Sequence, residues 1–229
     1  DMYCGVGGFL RKGTADEVAT QTAIYTRKGC ERIIRYAFDY TQKRNNPKGK
    51  RLTLVAKTNV LTFGHDLVWR TFQDVANDYP DVEADYNHVD ACCMWMVKNP
   101  ENYDVIVTTN MFGDILSDQA GGILGSLGLM PSACIGAEKA YFEPSHGSAP
   151  DIAGKNIANP YSMIGSVAMM LEMSFGMKDE ANDVWRAMQS VFEDGFSTPD
   201  LISNENAQMV STDVFGDKVV SYLTALLAK

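Results

Sequence analysis

The stretch Tyr103-Asp104-Val105-Ile106-Val107-Thr108-Thr109-Asn110-Met111-Phe112-Gly113-Asp114-Ile115-Leu116-Ser117-Asp118 decides the fold. Its first six residues read as a short strand, with the β-branched run Val105-Ile106-Val107-Thr108 typical of a strand buried on both faces of a sheet. Asn110-Met111-Phe112-Gly113 then reads as a turn, with a helix expected from Asp114. A buried strand feeding a helix is the unit of a parallel α/β sheet, whose ligands collect outside the carboxyl ends of the strands. Asp114 and Asp118 are four residues apart, which sets both carboxylates on one helical face. Two hard oxygen donors at that place suit Mg²⁺ or Mn²⁺. Equally, Asp114 suits the positive end of a helix and Asp118 suits water, so spacing leaves both readings open.

Upstream, Arg51 to Ala56 reads as a second buried strand, and Lys57 stands at its exit. A lysine there either snorkels to solvent or meets a carboxylate or a reacting proton. The segment from 17 to 44 is amphipathic, with a helix expected from Thr26 to Arg44 and a turn cluster over residues 45–50. Helices are expected over Leu67–Tyr79 and Ala91–Lys98, with a strand at Val82–Val89 between them. His88-Val89-Asp90 joins that strand to its helix, so Asp90 is either a helix cap or a third carboxylate. Downstream, apolar helices are expected within Ile157–Met173, Asp179–Gly195 and Phe215–Leu227. The loop from His146 to Asn159 is long and rich in small residues, which lets a ligand approach backbone. Tyr3 lies in a Gly-rich opening that lacks the third glycine of GxGxxG, because Leu10 stands there.

The 229 residues are 45% hydrophobic and 21% charged, enough apolar content for a packed core and too much for a disordered chain. Lys and Arg number 20 against 29 Asp and Glu, a formal charge of −9, which argues against a nucleic-acid partner. No apolar run is long enough for a membrane span. The five cysteines (Cys4, Cys30, Cys92, Cys93, Cys134) are odd in number and form no CxxC. A disulfide framework and a zinc site are therefore not expected, and a cytoplasmic location is.

Several segments occur together and in order: Lys57-Thr58-Asn59-Val60-Leu61, His88-Val89-Asp90-Ala91, Asn110 to Asp118, and Phe142-Glu143-Pro144-Ser145-His146-Gly147-Ser148-Ala149-Pro150-Asp151 continuing to Pro160. With Gly125 to Ala133 and Ala168 to Glu172, they resemble the β-decarboxylating dehydrogenases that act on isopropylmalate, isocitrate, homoisocitrate and tartrate or malate. The short segment from Ala133 to Tyr141 looks more like the isopropylmalate branch. The resemblance implies an isopropylmalate/isocitrate dehydrogenase-like α/β fold with two domains, parallel and mixed sheets and a non-Rossmann cofactor site. Residues 1–121 would form a dimerising, metal-binding domain with a β-arm, and residues 122–229 the carboxy-terminal part of the cofactor domain.

The same resemblance implies roles. Asp114 and Asp118 would bind Mg²⁺ or Mn²⁺, with Asp90 joining them from a partner subunit. Lys57 would also cross the dimer interface, as base or proton relay, and Tyr3 would protonate carbon. Asn59 would lie near the nicotinamide, and His146, Gly147, Ser148, Ala149, Asp151 and Asn159 would hold the rest of NAD. Asp151 would accept the ribose hydroxyls and repel a 2′-phosphate, since NADP-using relatives tend to carry Lys-Tyr where this chain has Asp151-Ile152. The implied reaction is NAD-dependent oxidative decarboxylation of a 2-hydroxy-3-carboxy acid, first 3-isopropylmalate in leucine biosynthesis, by a homodimer with shared sites. A cation near the tyrosine or lysine would lower its pKa towards working pH. Isocitrate or tartrate/malate as substrate is the alternative within the chemistry, and a non-catalytic regulatory subunit or truncated fragment the alternative outside it. Ser145 departs from the family's usual valine. The chain also opens Asp1-Met2-Tyr3 without initiator Met or leader, and the resemblance implies that about the first third of the family's length is absent, with its selectivity helix and substrate arginines.

Overall fold

The structure is a computed structural model and describes residues 1–44, 46–201 and 207–228. It divides into two compact units, Asp1–Gln119 and Ala120–Lys229.

The first unit opens with a 3-10 turn, Met2–Cys4, and an antiparallel hairpin of β1 (Val6–Leu10) and β2 (Val18–Thr22). Every residue of both hairpin strands is exposed. Then come α1 (Arg27–Arg44), β3 (Arg51–Ala56), α2 (Gly64–Ala76), β4 (Glu83–His88), α3 (Val89–Lys98), β5 (Val105–Thr108) and α4 (Asn110–Leu124), the last running across the division. Strand β3 is central, with β4 and β5 parallel to it on either side. Leu52 to Ala56 are all buried, the burial on both faces expected of a central parallel strand. Leu52, Leu54 and Ala56 pack with Ile34 and Phe38 of α1 and with Val68, Phe72 and Val75 of α2. Phe38 stacks on Tyr79 at 4.8 Å and meets Phe72 at 5.3 Å between ring centroids.

The second unit contains the hairpin of β6 (Pro131–Ile135) and β7 (Ala140–Pro144), helices α5 (Tyr161–Phe175) and α6 (Lys178–Glu193), the short parallel pair β8 (Phe196–Ser197) and β9 (Gln208–Met209), and α7 (Thr212–Leu227). Its core is Ala187, Met188 and Val191 of α6 against Phe215 and Val219 of α7, with Tyr161 and Ile164 of α5 closing one side. Gly165 lets α5 come close: a Cβ there would meet Trp185 at 2.8 Å and Pro131 at 3.1 Å.

One expectation is corrected and two segments without an assigned element are filled in. Asn110 to Gly113 is the first turn of α4 and no loop, because Gly113 N–H donates to Thr109 O at 2.8 Å and closes a helical turn. Val18 to Thr22, to which the amphipathic pattern assigned no element, is a strand, and its full exposure removes the alternation that would have marked it. Ala133 to Tyr141 is the turn and inner half of a hairpin. The expected turn cluster at 45–50 starts at Asn45, which lies outside the described residues; from Asn46 onward the turn is present, with Lys48 N–H donating to Asn46 Oδ1 at 3.0 Å. No helix among the described residues is long and apolar enough to cross a membrane.

Candidate active site

The three parallel strands of the first unit end side by side. Ala56 of β3 pairs with His88 of β4, and Val55 of β3 pairs with Thr108 of β5. Lys57 follows the first of these ends, Asp90 lies two residues past the second, and α4 with Asp114 and Asp118 follows the third. A central strand whose neighbours come from opposite crossovers leaves a crevice at its carboxyl end, where ligands collect in open α/β sheets.

Within that crevice the side chains form two pairs. Lys57 Nζ donates to Asp90 Oδ1 at 2.5 Å, and this hydrogen bond holds the Asp90 carboxyl below its ordinary range. Tyr3 Oη donates to Asp114 Oδ2, and the bond pushes the Tyr3 phenol pKa upward. That direction is the reverse of what a neighbouring cation would produce. Asp90 does not cap α3: His88 holds the N-cap position and Asp90 lies in the first turn. Asp114 sits one turn inside α4, so it is no first-turn acid either. Asp1 Oδ2 accepts from Met111 N–H at 2.9 Å and its Oδ1 accepts from Tyr3 N–H at 3.2 Å, tying the segment that carries Tyr3 to the start of α4.

Asn59 is exposed in the turn after Lys57, where Leu61 N–H donates to Lys57 O at 2.9 Å. Among the described residues no three His, Cys, Asp or Glu side chains gather closely enough to hold a metal ion, so one chain does not by itself assemble Asp90, Asp114 and Asp118. Asp114 and Asp118 remain exposed, one turn apart on α4, a donor set of hard oxygens that fits a divalent ion completed from elsewhere.

The loop His146–Asn159 belongs to the second unit. His146 Nδ1 lies 2.8 Å from Gly147 O and its Nε2 lies 2.9 Å from Ser162 Oγ of α5. The carbonyl can only accept, so Nδ1 carries the proton and the buried Ser162 hydroxyl donates to Nε2. Gly147, Ser148 and Ala149 are exposed, Ala149 with φ 45°, and Asp151 is exposed in the 3-10 turn Pro150–Ile152. Asn159 is buried; its Oδ1 accepts from Tyr161 N–H at 3.0 Å and its Nδ2 donates to Asp200 Oδ2 at 3.2 Å. An exposed carboxylate beside backbone free to be approached fits a ribose diol.

Two groups escaped the sequence. His65, wholly buried in the first turn of α2, accepts the backbone N–H of Lys57. Tyr86 Oη lies 2.9 Å from Thr58 Oγ1 and 3.1 Å from His88 Nδ1, joining the exits of β3 and β4. Neither belongs to a motif, and a lone histidine or tyrosine carries no spacing signal.

The parallel strands with their connecting helices define an α/β protein whose candidate residues Lys57, Asp90 and Asp114 follow the carboxyl ends of the first unit's sheet. Comparison with known proteins makes this particular. The model of the isocitrate/isopropylmalate dehydrogenase family matches residues 1–219, and the chain belongs to that family. It is 46% identical over 224 residues to the 3-isopropylmalate dehydrogenase of Corynebacterium glutamicum (strain R), covering 96% of this chain and 62% of the relative. With the 3-isopropylmalate dehydrogenase of Thermotoga maritima the identity is 47%, over 93% of this chain and 58% of the relative. The crystal structure of isocitrate dehydrogenase from Methylococcus capsulatus superposes with a TM-score of 0.87 at 45% identity, over 97% of this chain and 64% of that one. The fold is therefore isopropylmalate/isocitrate dehydrogenase-like, and the chain spans somewhat under two thirds of the length of these relatives.

Proposed function

We propose that this chain serves in the NAD-dependent oxidative decarboxylation of 3-isopropylmalate, in leucine biosynthesis in the cytoplasm, with Mg²⁺ or Mn²⁺, in a homodimer with shared sites. The observation that carries the reading is the placement of Lys57, Asp90 and Asp114 at the carboxyl ends of three adjacent parallel strands. Asp114 and Asp118 would hold the divalent ion with Asp90 of a second subunit, and the loop from His146 to Asn159, with Asp151 on the ribose, would hold NAD. When bound, NAD⁺ accepts the hydride from C2 and the ion draws charge from the substrate's hydroxyl and carboxylate oxygens.

The chain's own side chains handle the protons. Lys57 Nζ, oriented by Asp90, would relay the proton of the C2 hydroxyl: it gives one of its own protons to solvent and, as the neutral amine, takes the substrate's. Tyr3, whose hydroxyl donates to Asp114, stands as the group with a proton to give to the carbon that CO₂ leaves. Lys57 and Asp90 face each other and Tyr3 faces Asp114, so each chain carries two half-sites. Exposed apolar side chains on the hairpin (Phe9, Leu10), on α3 (Met94, Trp95, Val97) and on α4 (Ile115) support a second copy of the chain as partner.

A second reading has its own support, since one of the similar structures is an isocitrate dehydrogenase at 45% identity. The two are separated by assaying 3-isopropylmalate, isocitrate, tartrate and malate with NAD or NADP and Mn²⁺. The expected outcome is one NADH and one CO₂ per 3-isopropylmalate, with kcat/KM highest for that acid. Faster turnover of isocitrate would transfer the assignment to the second reading, and turnover of none would remove both.

A further inference from the structure

One buried ring links the exit of β3, the entry to α1 and the start of α4. His65 has no exposed surface. Its Nδ1 lies 2.9 Å from the backbone nitrogen of Lys57, the first residue past β3. A backbone N–H only donates, so Nδ1 is the bare nitrogen and the ring's proton sits on Nε2. Nε2 lies 3.1 Å from Tyr25 Oη, just before α1, and donates to it. Burial lowers the His65 pKa and raises that of Tyr25, so both stay neutral in this arrangement. An imidazolium would have no acceptor left for Lys57.

The ring is clamped on its faces as well. Tyr25 meets it edge-on at 5.3 Å between centroids, and so does Phe112, two residues before Asp114. Tyr25 is itself pressed onto the start of α2, where a Cβ on Gly64 would come within 2.4 Å of its ring. The helical path continues back to the site, since His65 N–H donates to Leu61 O and Leu61 N–H donates to Lys57 O. The backbone from which the Lys57 side chain departs is therefore held at its carbonyl by the turn and at its N–H by one imidazole nitrogen.

We infer that His65 is a positioning residue for the reaction: it fixes the exit of β3 so that Lys57 Nζ points into the crevice, and it ties that exit to the start of α4. The inference rests on the reading of Lys57 as the group that takes the hydroxyl proton. Two substitutions of similar size separate positioning from packing. Asparagine can place its Oδ1 near the position of Nδ1 and accept from Lys57. Glutamine places its amide near Nε2 and leaves the Lys57 N–H without an acceptor.

The test uses the protein as its cell makes it. His65→Gln should lower kcat about tenfold to a hundredfold with little change in either KM, and His65→Asn should recover most of the loss. By NMR, the Lys57 amide should exchange faster in His65→Gln and stay slow in His65→Asn, while the amides of Leu54 and Val55 stay protected in both. Equal behaviour of the two variants, or a Lys57 amide still protected in His65→Gln, overturns the inference. Lys57→Met keeps the two readings apart. If it retains turnover, the proton role of Lys57 falls, while amide exchange still decides whether His65 holds the strand exit.

Discussion

At the scale of single residues, the polar groups of the crevice come in complementary pairs. Tyr3 is bonded to Asp114 and Lys57 to Asp90. These residues were legible because each stands in a short run of distinctive chemistry next to a buried strand or a Gly-rich turn. His65 was not, because its role depends on a contact with Tyr25, 40 residues away, and on where β3 happens to end. The exposed carboxylate of Asp151 carries a separate consequence for cofactor choice. Replacing Asp151→Lys together with Ile152→Tyr removes the acceptor for ribose hydroxyls and supplies a cation for a 2′-phosphate. The ratio of kcat/KM for NAD over that for NADP should then fall by about tenfold or more. A ratio that stays put would take Asp151 out of the cofactor site.

At the scale of elements, strands and helices buried against a core were readable, and exposed or strongly local ones were not. Leu52 to Ala56 announce a central strand by being apolar except for the β-branched Thr53, and the structure buries all five. The hairpin β1–β2 has no buried face, so its sequence had no reason to alternate. The start of α4 was misplaced because Asn110 and Gly113 have turn propensities, which the hydrogen bond from Gly113 to Thr109 overrides. Close packing of α5 on α6 depends on a residue without a side chain. Gly165→Ala would gain helix propensity but drive a methyl into Trp185 and Pro131. Denaturant unfolding of that variant should show a net loss of about 1–3 kcal/mol. Unchanged or raised stability would mean that α5 can shift outward at no cost.

At the scale of the whole molecule, composition was the least informative level. A charge of −9 and 45% hydrophobic residues fit any ordinary globular protein, and they gave no sign that the chain forms two compact units or that relatives extend well beyond it. Order of motifs along the chain carried that information instead, because the crevice draws on residues from 3 to 118 and the polar loop lies beyond them. The pairing inside one chain gives the proposed dimer a functional meaning. Lys57 stays with Asp90 and Tyr3 stays with Asp114, and no three acidic ligands meet among the described residues. If a working site takes Lys57 from one subunit and Asp114 from the other, two dead variants can rescue each other. Lys57→Met and Asp114→Asn should each abolish turnover of 3-isopropylmalate. Unfolded and refolded together, they should recover about a quarter of wild-type turnover, since about half of randomly assorted dimers are hybrids, each with one intact site of its two. Mixing that leaves turnover at the level of the single variants would contradict the shared site and place the whole reaction within one chain.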